Sequence, residues 1–293
     1  MRLMEKSKMG ISAIALECLA TKCRLNVIRM LKSSGHGHLG GALSAIDIIT
    51  ALYFSEMNID PNRPDKSDRD RFVLSAGHKC LAQYAVLAEK GVFDKQILDT
   101  YGRLNSVIPG HPNMQKLPGI EANTGALGHG LAIANGMAAS AKLRKDKSRV
   151  FVMMGDGELP EGSNWEAAAQ AAKFKLDNLI LFVDYNGLQI SGAVEDVLNM
   201  QPVMVKFESF GWAVHEIDGN DMRQILEVLK KLPFEEGKPS IVFAKTIKAK
   251  GIPTQEGKTS SHFWKPSGKE LEQCEMILKA KLSYQEKIYE AVS

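Results

Sequence analysis

The sequence predicts an α/β protein built as a doubly wound parallel sheet with helices on both faces. Three short apolar runs, RVFVMM, NLILFVD and PSIVFAKT, are separated by segments of helix length. A strand covered on both faces reads as a continuous apolar run of this kind rather than as an alternating one. At 293 residues and 44% hydrophobic content the chain can bury roughly three quarters of its unfolded surface around such a sheet. No internal repeat or low-complexity linker divides it. One domain over residues 1–293 is therefore expected, with an N-terminal helical extension over about 1–34 and a C-terminal helix over about 269–291.

Taken in order, apolar residues recur at helical spacing from Ile11 to Leu31 and stop at Ser33, Ser34 and Gly35. A second helical pattern runs from about Leu43 to Phe54. The SSGHGHLGG between them is too glycine-rich to read as helix or strand. DPNRPDKSDRD turns the chain into RFVLSAGH, four strand-type residues ending on a small-residue turn that carries His78. Residues 81–90 read as helix. The connection over 102–124, with Pro109, Pro112 and Pro118, is of a length that tends to be functional or disordered. TGALGHG then leads into an alanine-rich helix, LAIANGMAASAKL, and into the three strand-and-crossover units. His215 falls in an apparent further strand, KAKGIPTQEGKTSSHFW reads as a polar, mobile segment, and Lys269 to Ala291 as an amphipathic helix.

A formal charge of +3 and no basic run interleaved with aromatics argue against nucleic acid or an anionic membrane surface as partner. No apolar stretch approaches the roughly 18 residues a membrane helix needs, and MRLMEKSKMG shows no leader-like pattern, so a cytoplasmic location is expected. Cys18, Cys23, Cys80 and Cys274 lack C-x-x-C spacing and read as reduced core thiols. The pairs Lys230-Lys231 and Lys248-Lys250 read as surface charges.

The chemistry is expected at GDG. Asp156 stands between Gly155 and Gly157 where a strand ends, with a helix start expected over Glu158 to Asn164. In an open parallel sheet, ligands bind beyond the carboxyl ends of the strands, where helix N-termini offer N–H groups to anions. A right-handed crossover returns NLILFVDYN to the same edge, so Asp156 and Asn186 are predicted side by side. One carboxylate, one amide oxygen and a main-chain carbonyl form a hard oxygen half-shell suited to Mg²⁺, which fills its octahedron with phosphate and water oxygens. The chain has no P-loop, and no G-x-G-x-x-G follows a strand. Six of the seven histidines (His36, His38, His78, His111, His129 and His262) sit in glycine- or serine-rich loops, a pattern suited to a polar pocket that moves protons near neutral pH.

GDG followed thirty residues later by Asn is the thiamine diphosphate signature, and its surroundings resemble transketolase. GHLGGALSAIDI is similar to that family's G-H-P-G-x-x-L loop, RFVLSAGH to its strand-plus-histidine, PGHP to its third histidine loop, and TGALGHG to its T-G-x-L-G-x-G turn. These ordered motifs span residues 35–192, with weaker similarity to about residue 264. The resemblance implies thiamine diphosphate with Mg²⁺, for which Ca²⁺ or Mn²⁺ can substitute, and two-carbon ketol transfer from a ketose phosphate to an aldose. Metal binding would fall to Asp156, Asn186 and the main-chain oxygen of Leu188. Gly155, Gly157 and Glu158 would shape or hold the diphosphate turn, with Gly125 and Leu127 against the aminopyrimidine and His78 at the diphosphate. His38, His78, His111 and His262 would line the donor pocket; SGH can also be aligned on His36, though spacing to Leu43 and Tyr53 favours His38. Glu161 and Glu166 match acidic positions that couple two cofactor sites across a subunit interface, and they equally fit a solvated first helical turn.

Full-length transketolases run to more than twice this length, and their second domain supplies the glutamate that activates the cofactor. The expectation is therefore a split enzyme: this N-terminal chain with a separate pyrimidine-binding C-terminal subunit, as a heterotetramer with sugar phosphate substrates. Alternatives are an alpha-type subunit of a 2-oxo acid dehydrogenase, which lacks the GHLGG and SAGH loops in this arrangement, a deoxyxylulose phosphate synthase-like chain, or a noncatalytic scaffold subunit.

Overall fold

The computed structural model describes residues 11–292. The N-terminal segment read above for a leader lies outside the described residues. Strands β1 (Arg71–Leu74), β2 (Val150–Gly155), β3 (Leu179–Tyr185), β4 (Ala213–Asp218) and β5 (Ser240–Lys245) form one wholly parallel sheet in the order β1-β2-β3-β5-β4. Successive strand residues point to opposite faces. Phe72, Phe151, Met153, Ile180, Phe182 and Val242 join one apolar cluster; Val73, Val152, Met154, Leu181, Val183 and Phe243 join the other. Both faces are covered, which is why the inner strands carry no polar alternation, whereas the edge strand β4 exposes His215 and Glu216.

The first cluster is closed by α1 (Ala13–Ser34), α2 (Leu39–Ala51), α3 (Cys80–Lys90), α8 (Met222–Leu229) and α9 (Gly268–Val292). The second is closed by α4 (Gly130–Leu143), α5 (Gly162–Lys173) and α7 (Val203–Phe210), while the short α6 (Val194–Leu198) stays outside it. Helix α1, expected as part of an extension, lies against α2, α3 and α9 with Leu16, Val27 and Leu31 buried. All four cysteines are free and buried.

Several details differ from the sequence reading. Helix α2 begins at Leu39, so Gly40 and Gly41 are helical rather than loop. A Cβ on Gly40 would lie 2.5 Å from Ser261 Oγ and 2.9 Å from Lys248 Cγ, and one on Gly41 would lie 3.1 Å from the Lys79 stem. The glycines make room for two buried lysines, and packing overrides their low helix propensity. Helix α2 continues through a wide turn to Glu56, and this 18-residue stretch, Leu39–Glu56, is apolar enough by length and composition to cross a membrane. It is 83% buried inside the fold and is its central core helix, which corrects the expectation that no such stretch exists. Residues 248–264 are packed rather than loose: Ala249, Ile252 and Trp264 are buried, and Gly37 and Trp264 exchange backbone hydrogen bonds of 3.0 and 2.9 Å. The 102–124 connection has no helix or strand, yet Ile108, Leu117 and Ile120 are buried and Arg69 grips Glu121 with two hydrogen bonds of 2.8 and 2.7 Å.

One buried ion pair fixes the helical layer beneath the site. Arg24 of α1 donates to both oxygens of Asp47 on α2, at 2.8 and 2.7 Å, and its Nε donates to the Lys250 carbonyl at 2.9 Å. The guanidinium thereby ties two helices to the segment after β5. Arg24→Ala leaves Asp47 charged and without its main partner, a loss expected to be about 3–5 kcal/mol in urea unfolding. A change within error of wild type would show that Asn220, which also donates to Asp47, suffices alone.

Candidate active site

The carboxyl ends of β2, β3 and β5 are in register, with Gly155 opposite Asp184 and Asp184 opposite Ala244. Asp156 and Asn186 consequently emerge next to one another. Asp156 Oδ1 accepts from Gly157 N at 2.8 Å and Oδ2 from Gly187 N at 2.5 Å. The Asn186 oxygen accepts from Leu188 N at 3.1 Å. Burial, together with the neighbouring Asp184 charge, pushes the Asp156 carboxyl up to about 6. A proton sits there more easily than on a free carboxylate, and a cation would displace it.

Glu158 does not face outward from a helix start. A tight turn covers Asp156–Glu158, and α5 begins only at Gly162. The buried Glu158 carboxylate accepts from Ser75 Oγ at 2.5 Å, Gly128 N at 2.8 Å and Gly155 N at 3.3 Å. It therefore bolts the ends of β1 and β2 to the TGALGHG turn, and its oxygens are committed to protein donors. Gly77 packs so closely on that turn that a Cβ would lie 2.8 Å from the backbone of Thr124 and Gly125.

Above this floor the histidine loops converge. The His38 ring centroid lies 5.4 Å from His78, 6.1 Å from His111 and 5.5 Å from His262, and His78 lies 5.0 Å from His262. His36 is exposed and packs on Phe263 outside the cluster, so of the two alignments His38 is the central ring. His129 and His215 are exposed, and neither ring joins the cluster. Burial depresses the imidazoles, helped by the neighbouring lysines at His78 (Lys79) and His262 (Lys248) and by repulsion among the rings: His38 to about 4, His262 to about 4 and His78 to about 2, with His111 lowered by burial. At neutral pH they are uncharged.

Two lysines complete the site, and the sequence reading missed both. Lys248, read as a surface charge, is 2% exposed. Its ammonium donates to the Leu188 carbonyl at 2.7 Å and lies 3.3 Å from His262 Nδ1; burial and Lys79 push it down to about 8. Lys79 is equally buried and pairs with Asp184. The only advance signal was the pair of glycines that accommodates their stems. Lys230 and Lys231 are exposed, as expected. Glu161 and Glu166 are also exposed, on the first turns of α5.

A cavity of about 170 Å³ opens between floor and histidines, lined by His78, Leu127, Asp156, Asn186, Lys248 and His262 among others. Gly125 packs against His111, whose ring would lie 3.2 Å from a Cβ there, and neither residue lines this cavity. A cavity of about 390 Å³ at the opposite sheet edge gathers none of these residues, and its Arg71 and Arg144 are paired with Glu121 and Asp146. Among the described residues no group of three His, Cys, Asp or Glu is placed to hold a metal. An ion at Asp156 would take one carboxylate, an amide and a carbonyl from protein and the rest from ligand oxygens, which suits a hard divalent cation.

A strand-end carboxylate, hard neutral oxygens and buried lysines, gathered at the carboxyl edge of a parallel sheet, are the arrangement of a diphosphate-binding domain. The family described as "Transketolase, thiamine diphosphate binding domain" matches residues 16–290, and the chain belongs to it. It is 45% identical over 246 residues to an apulose-4-phosphate transketolase subunit of Actinobacillus succinogenes, covering 84% of this chain and 89% of that one. Identity to the 6-deoxy-6-sulfo-D-fructose transketolase subunit of a Clostridium species is 41% over 259 residues, 84% of this chain and 94% of that one. Among solved structures, transketolase from Campylobacter jejuni superposes with a TM-score of 0.79 at 29% identity, over 93% of this chain and 48% of that chain. Leishmania mexicana transketolase gives 0.83 at 25%, over 94% and 46%. The chain thus spans just under half the length of these structures. The expected fold, the family and its thiamine diphosphate-binding domain are borne out.

The depressed histidines make an acid-stability prediction. An imidazole whose folded pKa lies below its unfolded value destabilises the fold as pH drops, because only the unfolded chain takes the proton. Asp156 and Glu158, whose pKa values burial raises, act oppositely, but two carboxyls are outnumbered by His38, His78, His111 and His262. Melting temperature should therefore fall between pH 6.5 and 4, and His38→Gln with His262→Gln should flatten that slope. An acid limb equally steep in the double variant would place its cause elsewhere.

Proposed function

We propose that this chain is the diphosphate-binding subunit of a two-chain transketolase that moves a two-carbon ketol unit from a ketose phosphate to an aldose. The observation that carries the reading is that Asp156, Asn186 and Leu188 line one cavity with His78 and His262, whose rings cluster with that of His38 and, through it, His111. Two relatives named as transketolase subunits, matched over about nine tenths of their own lengths, support a separate partner chain. We take that partner to carry the pyrimidine-binding domain, in a heterotetramer with cofactors at the interfaces. The cytoplasm, where buried thiols stay reduced, is the compartment we assign.

Thiamine diphosphate, when bound, supplies the electron sink for the two-carbon carbanion. In this reading Asp156, Asn186 and the Leu188 oxygen hold Mg²⁺. Lys248, now on the same carbonyl, adds positive charge toward the diphosphate, and the neutral His78 ring donates an N–H to it. Gly155 and Gly157 let the backbone come close, Gly125 and Leu127 flank the ring, and Glu158 keeps the floor rigid. His38, His111 and His262 exchange protons with sugar hydroxyls, help worth on the order of 10²–10⁴-fold. Anionic ligands would lift their lowered pKa values toward neutrality, where such exchange is efficient. Glu161 and Glu166, exposed here, would lie in the subunit interface and couple paired sites.

Asp156→Ala is expected to abolish Mg²⁺-dependent thiamine diphosphate binding in calorimetric titration while leaving the fold intact; normal affinity would undo the metal assignment. His111→Ala should slow turnover with the partner present and leave cofactor affinity unchanged. Full ketol transfer by the purified single chain would refute the division between two subunits.

A further inference from the structure

The ion pair of Lys79 and Asp184 has no role in the reaction as described. Ammonium and carboxylate lie 2.5 Å apart with side-chain exposures of 3% and 0%. Such a pair is weak evidence for stability, because desolvation consumes most of the Coulombic gain. Its placement points to another use. Asp184 Oδ2 accepts from Lys79 Nζ at 2.5 Å, Ser44 Oγ at 2.6 Å and Asn186 Nδ2 at 3.1 Å, and Oδ1 accepts from Thr246 Oγ1. The carboxylate is saturated by donors from four different parts of the chain.

An asparagine amide is nearly symmetric in shape, and a half-turn exchanges its oxygen for its nitrogen. Only the oxygen can ligate a cation. Asp184 accepts the Asn186 N–H, while Leu188 N donates to the Asn186 oxygen at 3.1 Å, so both contacts select the same orientation. An unpaired carboxylate two residues from Asn186 and beside Asp156 would itself be a stronger donor to a hard cation than the amide is. Lys79 prevents that.

We propose that Lys79 is a positioning residue for the metal site: it holds Asp184 as a hydrogen-bond acceptor, so that Asn186 presents its oxygen and the ion meets a single protein carboxylate. The inference rests on the metal-diphosphate reading above and deepens it to ion selection. A shell with few protein carboxylates suits Mg²⁺, which retains water and phosphate oxygens, whereas Ca²⁺ takes more oxygen ligands in flexible geometry.

The test uses the full chain with thiamine diphosphate, Mn²⁺ as spin probe, and Mg²⁺ or Ca²⁺ as competitor. Lys79→Met should weaken Mg²⁺ by about tenfold or more and shift preference toward Ca²⁺, in line with other outer-shell substitutions. Lys79→Met combined with Asp184→Asn should restore Mg²⁺ affinity to within about threefold, since the new amide oxygen still accepts from Asn186 and no charge is left unpaired. A lysine that merely fills space would leave the double variant as weak as the single one, and that result overturns the inference. Unchanged affinity and unchanged Mg²⁺/Ca²⁺ preference in Lys79→Met overturn it as well. Should that variant fail to fold, Thr246→Val removes one Asp184 donor without orphaning a charge; a several-fold loss is expected and no loss overturns the inference. Absence of Mn²⁺ binding in wild type would instead remove the metal reading itself.

Discussion

Two carboxylates end side by side at the carboxyl edge of this sheet, and much of the site follows from making that arrangement tolerable. Parallel pairing sets Gly155 against Asp184, which brings Asp156 next to the Asp184 charge in a region with almost no water. At about 4 Å and an effective dielectric of about 20, like unit charges repel by about 4 kcal/mol. The fold answers asymmetrically. Asp184 receives a lysine, two hydroxyls and an amide, whereas Asp156 receives only two backbone N–H groups and is left as the carboxylate with the raised pKa. The asymmetry makes one of them structural and the other available.

The same edge explains the histidines. Rings brought from the α2 entry, the β1 turn, the PGHP loop and the segment after β5 shield one another from water and repel one another's protons. Neutral imidazoles are both donors and acceptors, so the roof of the cavity stays polar without adding charge above two buried lysines. A roof of protonated histidines would multiply that positive charge and could not persist without an anion below.

The strands and most helices were legible because buried parallel strands leave continuous apolar runs, and RVFVMM and NLILFVD have no competing reading. Asp156 and Asn186 were legible because topology alone places successive strand ends together. The four histidines were legible as loop residues, with their convergence implied only by resemblance. Lys79 and Lys248 were not. A lysine beside glycine and alanine in a polar stretch has the composition of a surface loop, and only the three-dimensional fit of its stem past Gly41 or Gly40 reveals burial. The segment around Ile252 and Trp264 was misread for the same reason: its few apolar residues are widely spaced, yet Ala249, Ile252 and Trp264 land in the core while Phe263 stays exposed. Leu39–Glu56 was misread in the other direction, since the sequence reading found no stretch approaching membrane-spanning length; Ser44, Asp47 and Thr50, polar yet all buried, belong to it, and only the three-dimensional core shows it as the central apolar helix.

The floor of the site is self-contained, and its mouth is left uncovered. Asp156, Asn186, Leu188, Lys248 and Glu158 all come from one sheet edge and its turns, so their mutual geometry is set without a second chain. On the open side, Ile190 lines the cavity while 69% exposed, and Val197 and Leu198 of α6 are about half exposed nearby in sequence. Apolar side chains at a cavity mouth gain by being covered. Under the proposed reading, this chain would fix the charged end of the cofactor through rigid strand termini and leave its opposite end to another surface. Asp156 and Asn186 keep their orientation whatever covers the cavity mouth, because the contacts that set them all come from this chain.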